Sequence, residues 1–374
     1  MNPAYTLADT STVFSPSLVF FPELIKRNIA RVVEMAGGPQ RLRPHVKTHK
    51  TREIARLLMD AGVTKHKCAT IAEAEMLATV PVPDVLIAYP LVGPNLGRLV
   101  ELIRKYPGTT FSTLIDHPDA AQALSTAMAK AGLTVGVLLD LNVGQHRTGI
   151  AVGDSAVSLY ETAATLPGLR VEGFQVYDGH NNQPERADRE AAVRAFLAPV
   201  LEMRAKLEAK GIPVPKLVCG GTPSFPVYAH LTDIPGVECS PGTFVLHDAG
   251  YGGGKYADLA GFTPAAVLIT RVVSRPTATR VTLDLGTKSV ASDPPAGKRV
   301  TLLDFPPYEA VGHNEEHLIV ETADADRFKP GDVVYALPSH ICPTVALHRD
   351  ALVAEGGKIV GKWAVASRDR VLTV

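Results

Sequence analysis

Between residues 22 and 243, strand-like apolar runs alternate with helix-like amphipathic stretches, and this alternation restricts the fold more than any other feature of the chain. The runs are LRPHVK (42–47), HKCAT (66–70), DVLIAY (84–89), TTFSTLI (109–115), TVGVLLDLN (134–142), LRVEGFQVYD (169–178), KLVCGG (216–221) and VECSPGT (237–243). Between them lie segments such as TREIARLLMDAG and REAAVRAFLAPVLEMRAKLEAKG, with apolar residues at helical spacing and, in the second, a glycine stop signal. Eight repeats of strand then helix predict an α/β fold, a closed (β/α)8 TIM-type barrel, with an open doubly wound sheet as the alternative. After about residue 260 the pattern becomes β-branched runs with Pro/Gly turns: AAVLITRVVSR, TRVTLDLG, HLIVETAD, GDVVYALP and GKWAVASRDRVLTV. These predict a C-terminal mostly-β domain. LVFF (18–21) precedes the first barrel helix and is expected to add a strand to it, which divides the chain into a barrel, 22–259, and a β-domain of 1–21 plus 260–374.

Composition narrows the partners. The 374 residues are 46% hydrophobic, enough to bury a large core, and 38 basic side chains balance 38 acidic ones. A net charge of zero provides no field for nucleic acid or an anionic membrane surface, so a small-molecule partner is expected. MNPAYTLADTSTVF lacks a cationic segment followed by an apolar run, and no stretch approaches 18 uncharged apolar residues; a soluble, cytoplasmic protein is expected. The four cysteines (Cys68, Cys219, Cys239, Cys342) contain no CxxC pair, so reduced thiols are expected rather than a disulfide framework.

In a barrel of this kind the chemistry sits at the C-terminal ends of the strands. RPHVKTHK (43–50) ends the first predicted strand and puts Lys47 at the mouth, while strands seven and eight run into CGGTPS and SPGT. The glycines Gly220, Gly221 and Gly242 let backbone N–H groups approach a ligand, and Thr222 and Thr243 add hydroxyls, the ingredients of a phosphate cradle. A lysine beside a phosphate site suggests pyridoxal phosphate, whose aldehyde needs an amine with a neutral fraction. Partial desolvation or nearby cations lower a lysine pKa, and Arg43, His45, His49 and Lys50 are the cationic candidates. The same eight residues also have the composition of a solvated basic turn.

A resemblance bears on that choice. RPHVKTHK, CATIAEAEMLA, DLNVGQHRTG, QVYDGH, GGTPSF, SPGTFVLHD and PSHICPTVALH occur in order over nearly the whole chain. Together they resemble the D-threonine aldolase and D-serine dehydratase family of fold type III pyridoxal phosphate enzymes, relatives of alanine racemase. The resemblance implies a barrel followed by a β-domain. It makes Lys47 the lysine that carries the cofactor, with His45 beside it. It further puts Arg147 on the ring or its phenolic oxygen, Tyr177 near ring and substrate, and the phosphate on Gly220, Gly221, Thr222, Gly242 and Thr243. His340 and Cys342 would bind a divalent metal. It also implies a homodimer in which the β-domain of one chain closes the other chain's site.

If 339–343 is a strand, His340 and Cys342 share one face and can reach one ion, leaving positions open for water and a substrate hydroxyl. Imidazole plus thiolate favours zinc, with manganese as the other candidate. The implied activity is a lyase reaction on D-β-hydroxy amino acids. It is either retro-aldol cleavage to glycine and an aldehyde, with His180 as base for the hydroxyl proton, or β-elimination to an oxo acid and ammonia, with Lys47 as base for the α proton. A racemase and a non-catalytic cofactor carrier are the remaining readings. HNEEH (313–317) fits HxxEH but leads into a strand-like run, and GYGGGK (250–255) lacks the first glycine and the Ser/Thr of a phosphate loop.

Overall fold

The computed structural model describes residues 3–374; Met1 and Asn2, part of the predicted N-terminal segment of the β-domain, lie outside the described residues. The chain enters through β1 (Ser17–Phe20) and α1 (Pro22–Ala36). Then follow β2 (Lys65–Cys68), β3 (Asp84–Pro90), β4 (Thr110–Ile115), β5 (Val135–Asn142), a two-residue β6 (Ile150–Ala151), β7 (Leu169–Val176), β8 (Lys216–Cys219) and β9 (Val237–Cys239). The parallel order is β2-β3-β4-β5-β7-β8-β9, with β6 on β5. Between the strands run α2 (Arg52–Asp60), α3 (Ile71–Thr79), α4 (Pro94–Lys105), α5 (Pro118–Ala131), α6 (Asp154–Thr165), α7 (Arg186–Ala209) and α8 (Phe225–His230). α1 illustrates why: Ile25, Ile29, Val32 and Ala36 fall on one buried stripe, and Gly37 ends the helix at φ 75°.

Seven of the eight predicted strands form regular ladders. The first, 42–47, does not, and it closes the gap between β9 and β2 through single parallel bridges, Leu42 to Cys239 and His45 to Lys67. Arg43 N–H donates to the Cys239 carbonyl, His45 N–H to the Pro241 carbonyl, and Lys67 N–H to the Pro44 carbonyl, each at 2.9 Å. Pro44 has no N–H of its own, which keeps a full ladder from forming. From Val46 the chain turns into a 3-10 segment, Val46–Thr48.

The barrel interior is layered by strand parity. Its lower end is a ring of paired charges: Arg43 is bidentate to Asp84 (2.7 and 2.9 Å) and donates to Glu238, which also takes Lys65 at 2.6 Å. Lys216 and Ser112 each reach Glu172 at 2.8 Å. Above lies an apolar plug of Leu86, Leu114, Leu138 and Val218. Two residues further up β3 and β5 come Ala88 and Asp140, and Lys67, two residues above Lys65 and in register with Leu86, borders the same small cavity. At Gly173 the β5–β7 register shifts at φ 135°, where a Cβ would meet the Lys216 carbonyl oxygen at 1.9 Å, so only glycine fits.

The second domain comprises β10 (Ala266–Ser274), β11 (Arg280–Leu283), β12 (Val300–Leu303), β13 (Glu309–His313), β14 (Leu318–Glu321) and β15 (Val333–Pro338). After these come α9 (Ile341–Leu347), β16 (Asp350–Glu355) and β17 (Lys358–Ala364). The sheet order is β13-β14-β11-β10-β1-β16-β17, and β15 pairs with β10 and β12. β1 is thus the strand LVFF was expected to add, antiparallel to β10 and parallel to β16. Past Ala364 the predicted last strand stops, and the tail returns to the barrel. Buried Glu75 accepts the Thr373 and Val374 N–H groups at 3.0 and 3.3 Å, and Arg98 holds the Val374 carbonyl at 2.8 and 3.0 Å. Among the described residues no helix is long and apolar enough to cross a membrane.

Candidate active site

The pinned 43–45 segment delivers the 3-10 turn that presents Lys47 at the C-terminal mouth of the barrel. His45 Nδ1 accepts the Lys47 N–H at 3.2 Å. Burial, then Lys47, Lys67, Lys50 and His49, hold the His45 pKa well below the ordinary imidazole value, so this ring is neutral and acts as an acceptor. Lys47 opens into a cavity of about 650 Å³, whose wall also includes Tyr177, Thr222, Gly242, Thr243 and, from the β-domain, His340 and Cys342. The Lys47 Nζ lies 5.9 Å from the centre of the Tyr177 ring, and the Arg147 guanidinium carbon lies 5.0 Å from it. Arg147 reaches the ring from a smaller adjoining cavity of about 50 Å³, shared with Lys47 and His45.

The loops after β8 and β9 meet at Thr222, whose hydroxyl oxygen accepts the Gly242 and Thr243 N–H groups at 3.2 and 3.1 Å. A Cβ on Gly242 would approach the His45 carbonyl oxygen to 3.0 Å, a tight contact that the bare backbone avoids. Two converging amides beside a hydroxyl suit a phosphate. Gly221 lines the cavity against Tyr177, but Gly220 does not; at φ 74° it makes the turn out of β8 against the Tyr228 ring.

His340 and Cys342 meet, but not as alternating residues of a strand. The strand stops at Pro338; His340 caps α9, whose first turn holds Cys342, and the buried Asp248 carboxylate fixes this start by accepting the Ile341 N–H at 3.0 Å. The Cys342 Sγ lies 3.1 Å from Thr48 Oγ1 and 3.7 Å from Thr243 Oγ1. His340 Nδ1 contacts Asp293 at 2.5 Å, and hydrogen bonds to Cys342 and Asp293 raise its pKa to about 9. Among the described residues no group of three or more metal-ligating side chains converges. An imidazole and a thiol oriented by a carboxylate nonetheless form a two-donor, open set suited to a borderline-soft divalent ion. Both donors come from the chain that supplies Lys47, so the β-domain lines its own chain's cavity.

His180 is not brought into the cavity. Asn181 N–H bonds back to the Asp178 carbonyl at 2.8 Å, and this turn leaves Asp178 buried and facing in while His180 is exposed. The His180 ring packs at Gly144, 6.3 Å from Phe196. His317 is likewise exposed, in the turn between β13 and β14, so HNEEH lies on no helix; GYGGGK forms turns that lead into a 3-10 segment at Ala257–Leu259.

Residues 22–243 match the family model described as "Alanine racemase, N-terminal domain". The chain belongs to that family. A second model, for a serine dehydratase domain, matches residues 265–354, so the cavity lies between the two matched regions. D-threonine aldolase of an Arthrobacter species is 28% identical over 98% of this chain and 96% of its own length. D-threo-3-hydroxyaspartate dehydratase of Delftia sp. (strain HT23) is 26% identical, over 92% and 96%. The crystal structure of D-threonine aldolase from Filomicrobium marinum superposes with a TM-score of 0.85 at 27% identity, covering 95% and 96%. Within this family framework, three inward-facing residues went unpredicted: Lys67, Asp140 and Asp178. Lys67 and Asp140 were legible only as charges on the inward parity of barrel strands, and Asp178 as the acid ending a strand.

Proposed function

We propose that this protein is a pyridoxal phosphate- and divalent-metal-dependent lyase for D-β-hydroxy amino acids, cleaving them by a retro-aldol reaction to glycine and an aldehyde. One observation carries the reading: the Lys47 amine, the Thr222–Gly242–Thr243 cradle and the His340–Cys342 pair face a single cavity. When bound, the cofactor would supply an electron sink and the metal a Lewis acid. Lys47 would hold the cofactor aldehyde, with its position set by the acceptor His45. Gly242 N–H, Thr243 N–H and the Thr222 hydroxyl would take the phosphate, and Tyr177 and Arg147 would flank the ring. His340 and Cys342 would hold the ion, zinc or manganese, with Asp293 orienting the imidazole. The relatives named as aldolases support the reaction type. That a Cys-to-Ala variant of the Delftia dehydratase is described as metal-free supports a metal in that protein, and here a Cys342 role is proposed by analogy.

His180, expected as the base for the hydroxyl proton, is exposed and outside the cavity, so it is not given that role. The carboxyl that faces the cavity is Asp178, its pKa raised by burial and held by Ser224 at 2.7 Å. The second reading, β-elimination to an oxo acid and ammonia, is favoured by the thiol donor Cys342, which suits zinc, and by the dehydratase relative. Incubation of the purified protein with pyridoxal phosphate, a divalent metal and D-threonine separates the two. Glycine plus acetaldehyde supports the aldolase; oxobutanoate plus ammonia supports elimination; neither product refutes the lyase.

A further inference from the structure

Four lysines border the main cavity, and their surroundings differ: Lys255, on the loop after β9, has its Nζ 4.9 Å from the centre of the Tyr256 ring. Lys50 forms an ion pair with the buried Glu73, which also accepts the Ala69 N–H at 2.6 Å, and so its amine is already engaged. Those of Lys47 and Lys67 are not. Among the described residues neither Nζ makes a hydrogen bond, and the two sit at matched distances from the Tyr177 ring, 5.9 and 5.8 Å. Lys67 is 2% exposed, lines both the large and the small cavity, and lies beside the apolar plug of the barrel, in register with Leu86. Its backbone is bridged to His45, two residues from Lys47.

We infer that Lys67 is a second carbonyl-reactive amine of this site, placed to bond the cofactor aldehyde when Lys47 does not. The inference rests on the cofactor reading above. In the step proposed, the neutral amine of Lys67 adds to the aldehyde carbon. Two N–H protons and the carbonyl oxygen leave as water, and a carbon–nitrogen double bond remains. The requirement is an amine that is neutral, unpaired and within the cavity wall, and burial, then Lys47, bring the Lys67 pKa down to about 7. Roughly half of Lys67 is therefore neutral at pH 7, against about one in three thousand for an ordinary lysine. Asp140, the facing carboxyl, is itself raised to about 6, chiefly by burial, and is engaged by Thr148 at 2.8 Å, so it compensates Lys67 without a direct bond.

The experiment is borohydride trapping with the full-length protein and pyridoxal phosphate. Hydride adds to the carbon of any carbon–nitrogen double bond and a proton to the nitrogen, fixing the cofactor to its lysine, which peptide mass spectrometry then identifies. Wild type is expected to carry the label on Lys47, Lys47→Met on Lys67, and Lys47→Met/Lys50→Met again on Lys67, with the label lost in Lys47→Met/Lys67→Met. Lys47→Arg, which keeps the charge, provides a second background should Lys47→Met fold poorly by circular dichroism. Label on Lys50, or on no lysine, in folded Lys47 variants overturns the inference while leaving the cofactor reading intact. No label in wild type overturns both.

Discussion

Replacing Lys67 with methionine should make the cofactor-free protein more stable, because the native amine sits where its charge is disfavoured. Its folded pKa of about 7 lies below the ordinary 10.5, so stability from this group is full above about pH 10.5 and is lost as pH falls toward 7. The corresponding penalty is about 4 kcal/mol at pH 7 and about 2 kcal/mol at pH 9. Methionine fills the same slot beside the plug of Leu86, Leu114, Leu138 and Val218 without that penalty. Asp140 then loses a compensating cation, at a cost of about 1 kcal/mol, which leaves a net gain of roughly 2–3 kcal/mol at pH 7. For a chain of this length that is a rise of roughly 3–4 °C in thermal midpoint. Scanning calorimetry of wild type and Lys67→Met at pH 7 and pH 9 should show the variant ahead at pH 7 and the gap about halved at pH 9. A variant no more stable than wild type at pH 7, with a gap that does not change with pH, would refute the claim that this amine is desolvated and unpaired.

Other parts of the site are open to similar tests. Thr222→Val removes the acceptor of two buried N–H groups, so the cofactor-free thermal midpoint should fall by the equivalent of about 2–4 kcal/mol, with pyridoxal phosphate affinity at least roughly tenfold weaker by equilibrium dialysis. An unchanged affinity would exclude this cradle. His340→Ala and Cys342→Ala should each abolish metal-dependent turnover while borohydride still traps cofactor on Lys47; full activity in both would remove the metal assignment. His49 and His66 are buried neighbours whose pKa values burial lowers to about 3. They stay neutral in the fold but protonate near pH 6.5 when unfolded, so each costs about 2 kcal/mol of stability between pH 7 and pH 5. His66→Gln should flatten that acid slope in calorimetry by about this amount, and an unaltered slope would count against it.

The alternation of runs was enough to read the architecture because the two periods differ and eight repeats leave few closed alternatives. The exception, 42–47, was misread because a proline inside an apolar run removes a ladder donor without altering the hydrophobic pattern. That Lys47 and the loops carrying Thr222, Gly242 and Thr243 meet at one cavity was legible because it depends on residue type and position at strand ends. The HxC pair was legible as a pair but not as a geometry, since spacing by two suits both a strand and a helix cap followed by its first turn. The position of His180 was not legible for a related reason. One turn, closed by Asn181 on Asp178, exchanges which side chain faces the cavity, and local composition does not encode that choice.

Lys67 illustrates a distinction that only the barrel interior reveals. KHKC carries two lysines on one parity, and taken alone they are equivalent. Lys65, at the lower end, is paired with Glu238 at 2.6 Å within a ring where each charge meets an opposite one. Lys67 lies two residues higher, in register with the plug residue Leu86, and Asp140 is the carboxyl that borders the same small cavity. A barrel selected for stability alone would carry an apolar residue there, as it does at Leu86 beside it. The chain instead pairs charge where nothing reacts and leaves an amine unpaired where the cavity opens. That placement is hard to reconcile with a purely structural Lys67, and the lysine found after reduction in the Lys47→Met protein tests it directly.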